Sequence, residues 1–441
     1  MTKGFPLIRK KRSPGIYPGW WMTWVSGMTT GLGHAFFLRG YSAIFKPLST
    51  ELGFSRAVTS GASGIRSLQY GLMAPVTGWL CDRLGPKWVM LSGLGFMIIG
   101  LIMMIRVNSL WAYYVIWGVI IAMGNSLALT LAPDKALTDW FIRKRGQAFS
   151  IRFVLIATVS AACLPIITWM ITTLGWRTSC LIWAGVMGVT VPFIWVTIKE
   201  KRPEYYGLLP DGVTTRENAT ARQFPWVDDG SLNDTGFEER EQTLGQAMKT
   251  QAYWMLIVAD ASGRIVNAGF GLHCIPFITD LGINPTIAGS MMALMIVFTI
   301  PSSLLSGLIA DRTPKEHLRL LLVGAYLFQA LGIASFLVNS NTFMLYPLLI
   351  LLGFGSGAVR PLFIIMRGRY FGRKAYGSIE GTSMAFGTPF TILSPIYAGW
   401  VYDRTGSYLT AFTLFALLAA FSAFIMVLAR YPKSPSDSTE I

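Results

Sequence analysis

Twelve long apolar segments constrain this chain more than any other feature. They run roughly over residues 20–45, 59–81, 87–105, 110–132, 146–170, 177–198, 251–279, 285–310, 318–338, 343–366, 376–401 and 408–430. About 20 apolar residues in a helix cross the hydrocarbon core of a bilayer. Backbone N–H and C=O groups find no water there, so each crossing must satisfy its own hydrogen bonds as a helix. Charged residues make up only 13% of the 441, and mean hydropathy is +0.50. A soluble chain carries about 25% charge. An ordinary soluble enzyme and a disordered chain are both excluded. The expectation is an all-α integral membrane protein with twelve transmembrane helices.

The net charge of +15 raises the question of nucleic acid. Its distribution answers it. With the basic tail 1–18 inside the cell, the loops on that side carry 26 Lys/Arg and the outer loops five. That is the positive-inside pattern, and no nucleic-acid partner is expected. Both termini are placed in the cytoplasm. The expected divisions are the tail 1–18, a six-helix half 19–199, a linker 200–248, a second half 249–431 and a tail 432–441.

The halves repeat each other. Glu51-Leu52-Gly53 returns as Asp280-Leu281-Gly282, and Gly78 with Asp82-Arg83 returns as Gly307 with Asp311-Arg312, both at an offset of 229. Trp140-Phe141 returns as Tyr370-Phe371 and Pro165 as Pro395, at 230. Two pseudo-symmetric six-helix halves in the same orientation form a duplicated transporter plan.

The loop after the second segment holds the strongest local signal: Gly78, Asp82, Arg83, Gly85, Pro86 and Lys87. The second copy, Gly307, Asp311, Arg312, Pro314 and Lys315, is one residue shorter. A glycine near a span end allows close helix approach. The tight turn can hold Asp and Arg against a neighbouring helix end and lock one gate.

With this repeated motif the chain resembles the major facilitator superfamily along its whole length. Further segments narrow the resemblance: Pro18-Gly19-Trp20-Trp21, Trp140-Phe141 with Arg143-Lys144-Arg145-Gly146, Gly207-Leu208-Leu209-Pro210-Asp211-Gly212, and Thr243-Leu244-Gly245. Together they are similar to bacterial carriers of the monocarboxylate and oxalate/formate antiporter type. The resemblance implies the major facilitator fold, a multi-pass place in the inner (cytoplasmic) membrane of a bacterium, and small organic anions moved with protons or by exchange. Carriers of that type place an arginine where this chain has Ser303, and the monocarboxylate branch adds an acid at the position of Thr299. Segment 8 carries no charge here.

Charges inside spans are costly, about 2.5–3.5 kcal/mol each on insertion scales. Asp260 and Arg264 lie four apart in segment 7, share a helix face and can pair. Arg264, Arg39 and Arg360 are the candidate substrate-binding cations, since a guanidinium grips a carboxylate with two hydrogen bonds. Tyr41 and Phe270 are aromatic candidates for the same cavity, with helix packing as the other reading. Asp260, Glu380 and His34 are the candidates for proton coupling. Arg152 and Glu380 occupy matching positions and read as charge locks, and Asp134-Lys135 reads as gate or loop structure. Arg360-Pro361 follows Gly353, Gly355 and Gly357, which suggests a broken or flexing helix.

Four cysteines without a C-x-x-C pair and three scattered histidines suggest no metal, cofactor or catalytic constellation. No nucleotide-binding loop is present, so ATP drive is not expected. The reading is a secondary carrier, not an enzyme, working by alternating access on a small organic anion, with protons or a counter-anion, in the lipid bilayer and as a monomer. Its rivals are a carrier of a neutral or cationic solute whose arginines are structural, and a non-transporting membrane receptor.

Overall fold

The computed structural model describes residues 16–40, 44, 51, 56–212, 241–338 and 342–432. The tail residues 1–15, the linker residues 213–240 and the end from 433 lie outside the described residues, as does Tyr41. Arg39 closes a described helix, but its side chain also lies outside them.

Twelve long helices follow one another among the described residues. They are α1 (Pro18–His34, prolonged by the π-helical turn Ala35–Arg39), α2 (Arg56–Leu84), α3 (Pro86–Met103), α4 (Leu110–Trp140), α5 (Arg145–Leu174) and α6 (Trp176–Thr197). After the linker come α7 (Gln251–Asp280), α8 (Pro285–Arg312), α9 (Leu318–Val338), α10 (Thr342–Phe371), α11 (Tyr376–Thr405) and α12 (Leu409–Leu428). Large apolar side chains such as Ile99, Ile102, Leu417 and Phe424 point outward, the reverse of a soluble protein. They suit a surface solvated by lipid.

The packing is pseudo-symmetric. In the first half α1 packs on α5 and α6, α2 on α4, and α3 on α4 and α6. In the second, α7 packs on α11 and α12, α8 on α10, and α9 on α10 and α12. The most extensive packing between the halves is α2 against α11 and α5 against α8, with smaller contacts of α10 on α5 and α11 on α4. A fold of twelve helices in two related sixes follows.

Two helices are longer than their apolar patterns suggest. The apolar run of α4 fades near residue 132, yet the helix continues to Trp140, and α10 continues past residue 366 to Phe371. Polar residues extend both because they face protein instead of lipid: Asp134, Lys135, Asp139, Arg367 and Arg369 are all buried. The glycines of α10 do not break it. A Cβ at Gly353 or Gly357 would strike the carbonyl oxygens of Met295 or Thr299, and one at Gly355 would crowd that of Ala325. They let α10 approach α8 and α9 closely.

Proline leaves a carbonyl four residues earlier without its helical donor. In α10, Pro361 frees the Gly357 carbonyl, and Ser303 Oγ donates to it at 3.0 Å. In α4, Pro133 follows a π-helical stretch, Ser126–Leu131, and lies four residues after Leu129, whose carbonyl accepts from Arg152 Nη2 at 3.4 Å. Backbone polar groups freed within a span are thus re-satisfied by side chains of neighbouring helices.

Candidate functional site

The charges that the apolar background isolates in the sequence meet in one chain of ion pairs. It starts on α7, where Arg264 Nε and Nη2 donate to Asp260 Oδ1 and Oδ2 at 3.2 and 3.1 Å. The next link is Arg367 of α10, which donates to Asp260 at 2.7 Å and also to Glu380 of α11. Glu380 accepts from Arg360 Nη1 at 3.0 Å. Arg360 Nη2 reaches Asp134 of α4 at 3.4 Å, crossing between the halves. Asp134 is held from its other side by Arg152 of α5, which also donates to Thr30 of α1 at 3.3 Å. Four arginines thus alternate with three carboxylates.

Burial decides which of these groups can meet a solute. Arg367, Glu380, Asp134 and Arg152 are sealed, whereas the Arg264 and Arg360 side chains keep 23% and 33% of their exposure. Sealed charges are tolerable only when paired and hydrogen-bonded. Arg360 lines a cavity of about 350 Å³ between the halves, together with His34 of α1, Ser160 of α5, and Thr299 and Ser303 of α8. The two positions where the resemblance leads one to expect charge on α8 are therefore hydroxyls in the same cavity, and the guanidinium there comes from α10.

Of the substrate and proton candidates, Asp260, Arg264, Arg360 and Glu380 come together in the ladder, and His34 faces the cavity beside Arg360. Phe270 is elsewhere: it is buried in the second half, its ring 5.0 Å from that of Phe412. As a cavity-lining candidate it is corrected, because its apolar ring is sequestered between α7 and α12. Asp134 is a buried member of the ladder and no loop residue. Lys135 beside it donates to Asp139 at 2.8 Å and to the Arg373 carbonyl. Arg367 was missed because its place just beyond the apolar run makes it resemble a loop cation. Its spacing of seven from Arg360, two helical turns on the same face, is the signal that could have found it.

The repeated loop motif forms two interlocks at the face of the bundle that carries the linker. Gly78 of α2 lies so close to Gly377 of α11 that a Cβ would strike its carbonyl, and Gly307 and Gly146 make the same approach between α8 and α5. Asp82 accepts from the Gly377 and Ser378 N–H groups at 3.2 and 2.8 Å, at the start of α11. Asp311 accepts from the Gly146 and Gln147 N–H groups at 2.6 and 2.8 Å, at the start of α5. Helix N-termini present unpaired N–H groups and a positive dipole end, so a carboxylate suits both. Gly85 turns the chain with φ +83° before Pro86 opens α3. The motif cations lie over aromatic faces: Arg83 over Trp79, Lys87 over Trp195 and Lys315 over Tyr431. Arg312 is exposed.

The linker start is part of this face. Asp211 holds a left-handed backbone, φ +61°, and its carboxylate accepts from the N–H groups of Ile142, Arg143 and Lys144 before α5. Burial pushes the Asp211 carboxyl above the ordinary carboxylate range, against the pull of those three donors.

Comparison with known proteins agrees with this architecture. The sequence pattern of the Major Facilitator Superfamily matches residues 19–387 and 274–441. Monocarboxylate transporter 13 of Rattus norvegicus is 25% identical over 385 residues, covering 85% of this chain and 80% of the relative. The uncharacterized transporter YycB of Bacillus subtilis is 23% identical over 383 residues, covering 83% and 82%. The solved structure of the proton:xylose symporter XylE superimposes with a TM-score of 0.69 at 12% identity, over 93% of this chain and 95% of that one. That likeness concerns the fold alone. With two related six-helix bundles, paired glycine crossings and a matching family pattern over most of its length, this chain is a membrane transporter and not an enzyme, resembles monocarboxylate carriers, and belongs to the Major Facilitator Superfamily.

Proposed function

We propose that this protein is a secondary carrier that moves a small organic anion, a monocarboxylate, by alternating access. The observation that carries the reading is the ladder: four arginines against three carboxylates, with Arg360 and Arg264 the partly exposed members. One positive charge in excess, beside a cavity between two halves, suits one carboxylate. Guanidinium groups favour such partners through paired, charge-assisted hydrogen bonds. The likeness to monocarboxylate transporters points the same way, as does a 23% identical Escherichia coli relative named "Probable L-galactonate transporter". Closing of the linker face by the two interlocks and its reopening would give the cavity alternate access. Protonation of Asp260, Glu380 or His34, or exchange against a second anion, would couple the cycle. The linker face is cytoplasmic on this reading, in a bacterial inner membrane, and the monomer is the working unit.

The test is uptake of labelled small carboxylates into proteoliposomes, with and without an inside-alkaline gradient. Wild-type protein is expected to take up at least one monocarboxylate, and Arg360→Ala to abolish that uptake. Stimulation by the gradient indicates symport, and dependence on internal anion indicates exchange. A second reading, transport of a neutral or cationic solute, draws on the fact that every arginine of the ladder has an acidic neighbour. Uptake of such a solute that survives Arg360→Ala but not Asp260→Asn would replace the anion reading.

A further inference from the structure

The geometry points to Asp134 as the residue that sets how many negative charges the substrate carries. The inference rests on the anion-carrier reading and adds a selectivity to it. Asp134 does not line the cavity; it stands behind Arg360 and acts through it, so it is a positioning residue. Its two oxygens serve two different cations, Arg152 of its own half and Arg360 of the other.

Arg360 is the ladder arginine that lines the cavity, and its contact with Asp134, at 3.4 Å, is longer than its contact with Glu380, at 3.0 Å. A carboxylate arriving from the cavity therefore displaces Asp134 and leaves Glu380 in place. Arg152 still holds Asp134, so no acid is left without a cation. After this exchange the ladder's one surplus positive charge is matched by one carboxylate. A second carboxylate on the same solute would find no cation in excess and would face Asp134 and Glu380 at short range. In a partly buried site such a mismatch is weakly screened. The apolar side of the cavity, with Phe153, Ile156 and Ile300, offers the far end of a dianion no compensation. Monoanions are accepted and dianions are refused because Asp134 keeps the surplus at one.

The experiment is calorimetric binding to the full-length protein of matched pairs: glycolate with oxalate, lactate with malonate, gluconate with glucarate. Wild type is expected to prefer the monoanion of whichever pair it binds. Asp134→Asn raises the surplus to two, and the preference should move toward the dianion by about tenfold or more. The double variant Asp134→Asn with Arg152→Gln returns the surplus to one and should restore the monoanion preference. A merely structural role for Asp134 would lower both affinities together and leave their ratio unchanged, which overturns the inference while wild-type monoanion binding keeps the carrier reading. If Asp134→Asn does not fold, Arg152→Gln alone decides. It leaves no surplus and should weaken the monoanion by about tenfold, so an unchanged affinity sinks the idea. Folded wild type that binds no member of any pair removes the anion-carrier reading and this inference with it.

Discussion

The interlock of α2 with α11 and that of α8 with α5 use the same parts, but they are reinforced differently. In each, two glycines let backbones cross and an aspartate receives the first N–H groups of the opposing helix. Around Asp82, further bonds also cross the halves. Lys135 reaches the Arg373 carbonyl, and Arg373 donates to the Asp139 carbonyl at 2.9 Å and to Glu204 at 2.8 Å. Around Asp311, Arg369 holds the carboxylate from α10 and Asp211 holds the loop before α5, each within its own half. The hydroxyl bond from Ser150 to the Ser303 carbonyl, at 2.6 Å, also joins the halves on this helix pair. Duplication has kept the part that backbone geometry dictates. The reinforcing side chains have diverged.

The largest effect should come from the shared part. Valine at Gly78 or at Gly146 would drive a branched side chain into a facing backbone carbonyl that a Cβ alone would already strike, so the cost should pass the upper end of the usual overpacking range of about 1–3 kcal/mol. Either variant should lower the thermal midpoint and increase labelling of cysteines placed on the linker face. Unequal losses would show that one crossing alone carries the seal. The next effect separates the two copies. Loss of a hydrogen bond to a charged group costs about 1.5–3 kcal/mol. Asp311→Ala should loosen α5 from α8 more than Asp82→Ala loosens α2 from α11, because Lys135 and Arg373 remain at the second junction. Distances between spin labels across each pair check this, and equal loosening would refute the difference in reinforcement. The smallest effect belongs to the linker. Asp211→Asn tolerates the left-handed backbone and keeps one acceptor, so about 1 kcal/mol is at stake. Faster amide exchange at Ile142, Arg143 and Lys144, with α11 unchanged, is the expected result.

Much of the fold is legible in the chain because hydrocarbon imposes a simple rule: an apolar stretch of sufficient length must be a helix. Asp260 with Arg264 is legible for the same reason, since any charge in such a run demands a partner. The ends of α4 and α10 are not legible. Residues such as Asp134 and Arg367 look like loop residues until a partner helix buries them. In each helix a proline lies next to a ladder residue, Pro133 before Asp134 and Pro361 after Arg360. Their meaning emerges only when Arg152 and Ser303 are seen answering the carbonyls four residues before those prolines.

The twelve crossings, their duplication and the charges that a membrane would not leave alone can be read along the chain, because solvation energy acts on each segment separately. Which charges meet, which arginine reaches the cavity and which aspartate stands behind it emerge from the packing of the helices. Those outcomes depend on the crossing of helices far apart in the chain, and on π-helical turns and glycine contacts that set which way each face points.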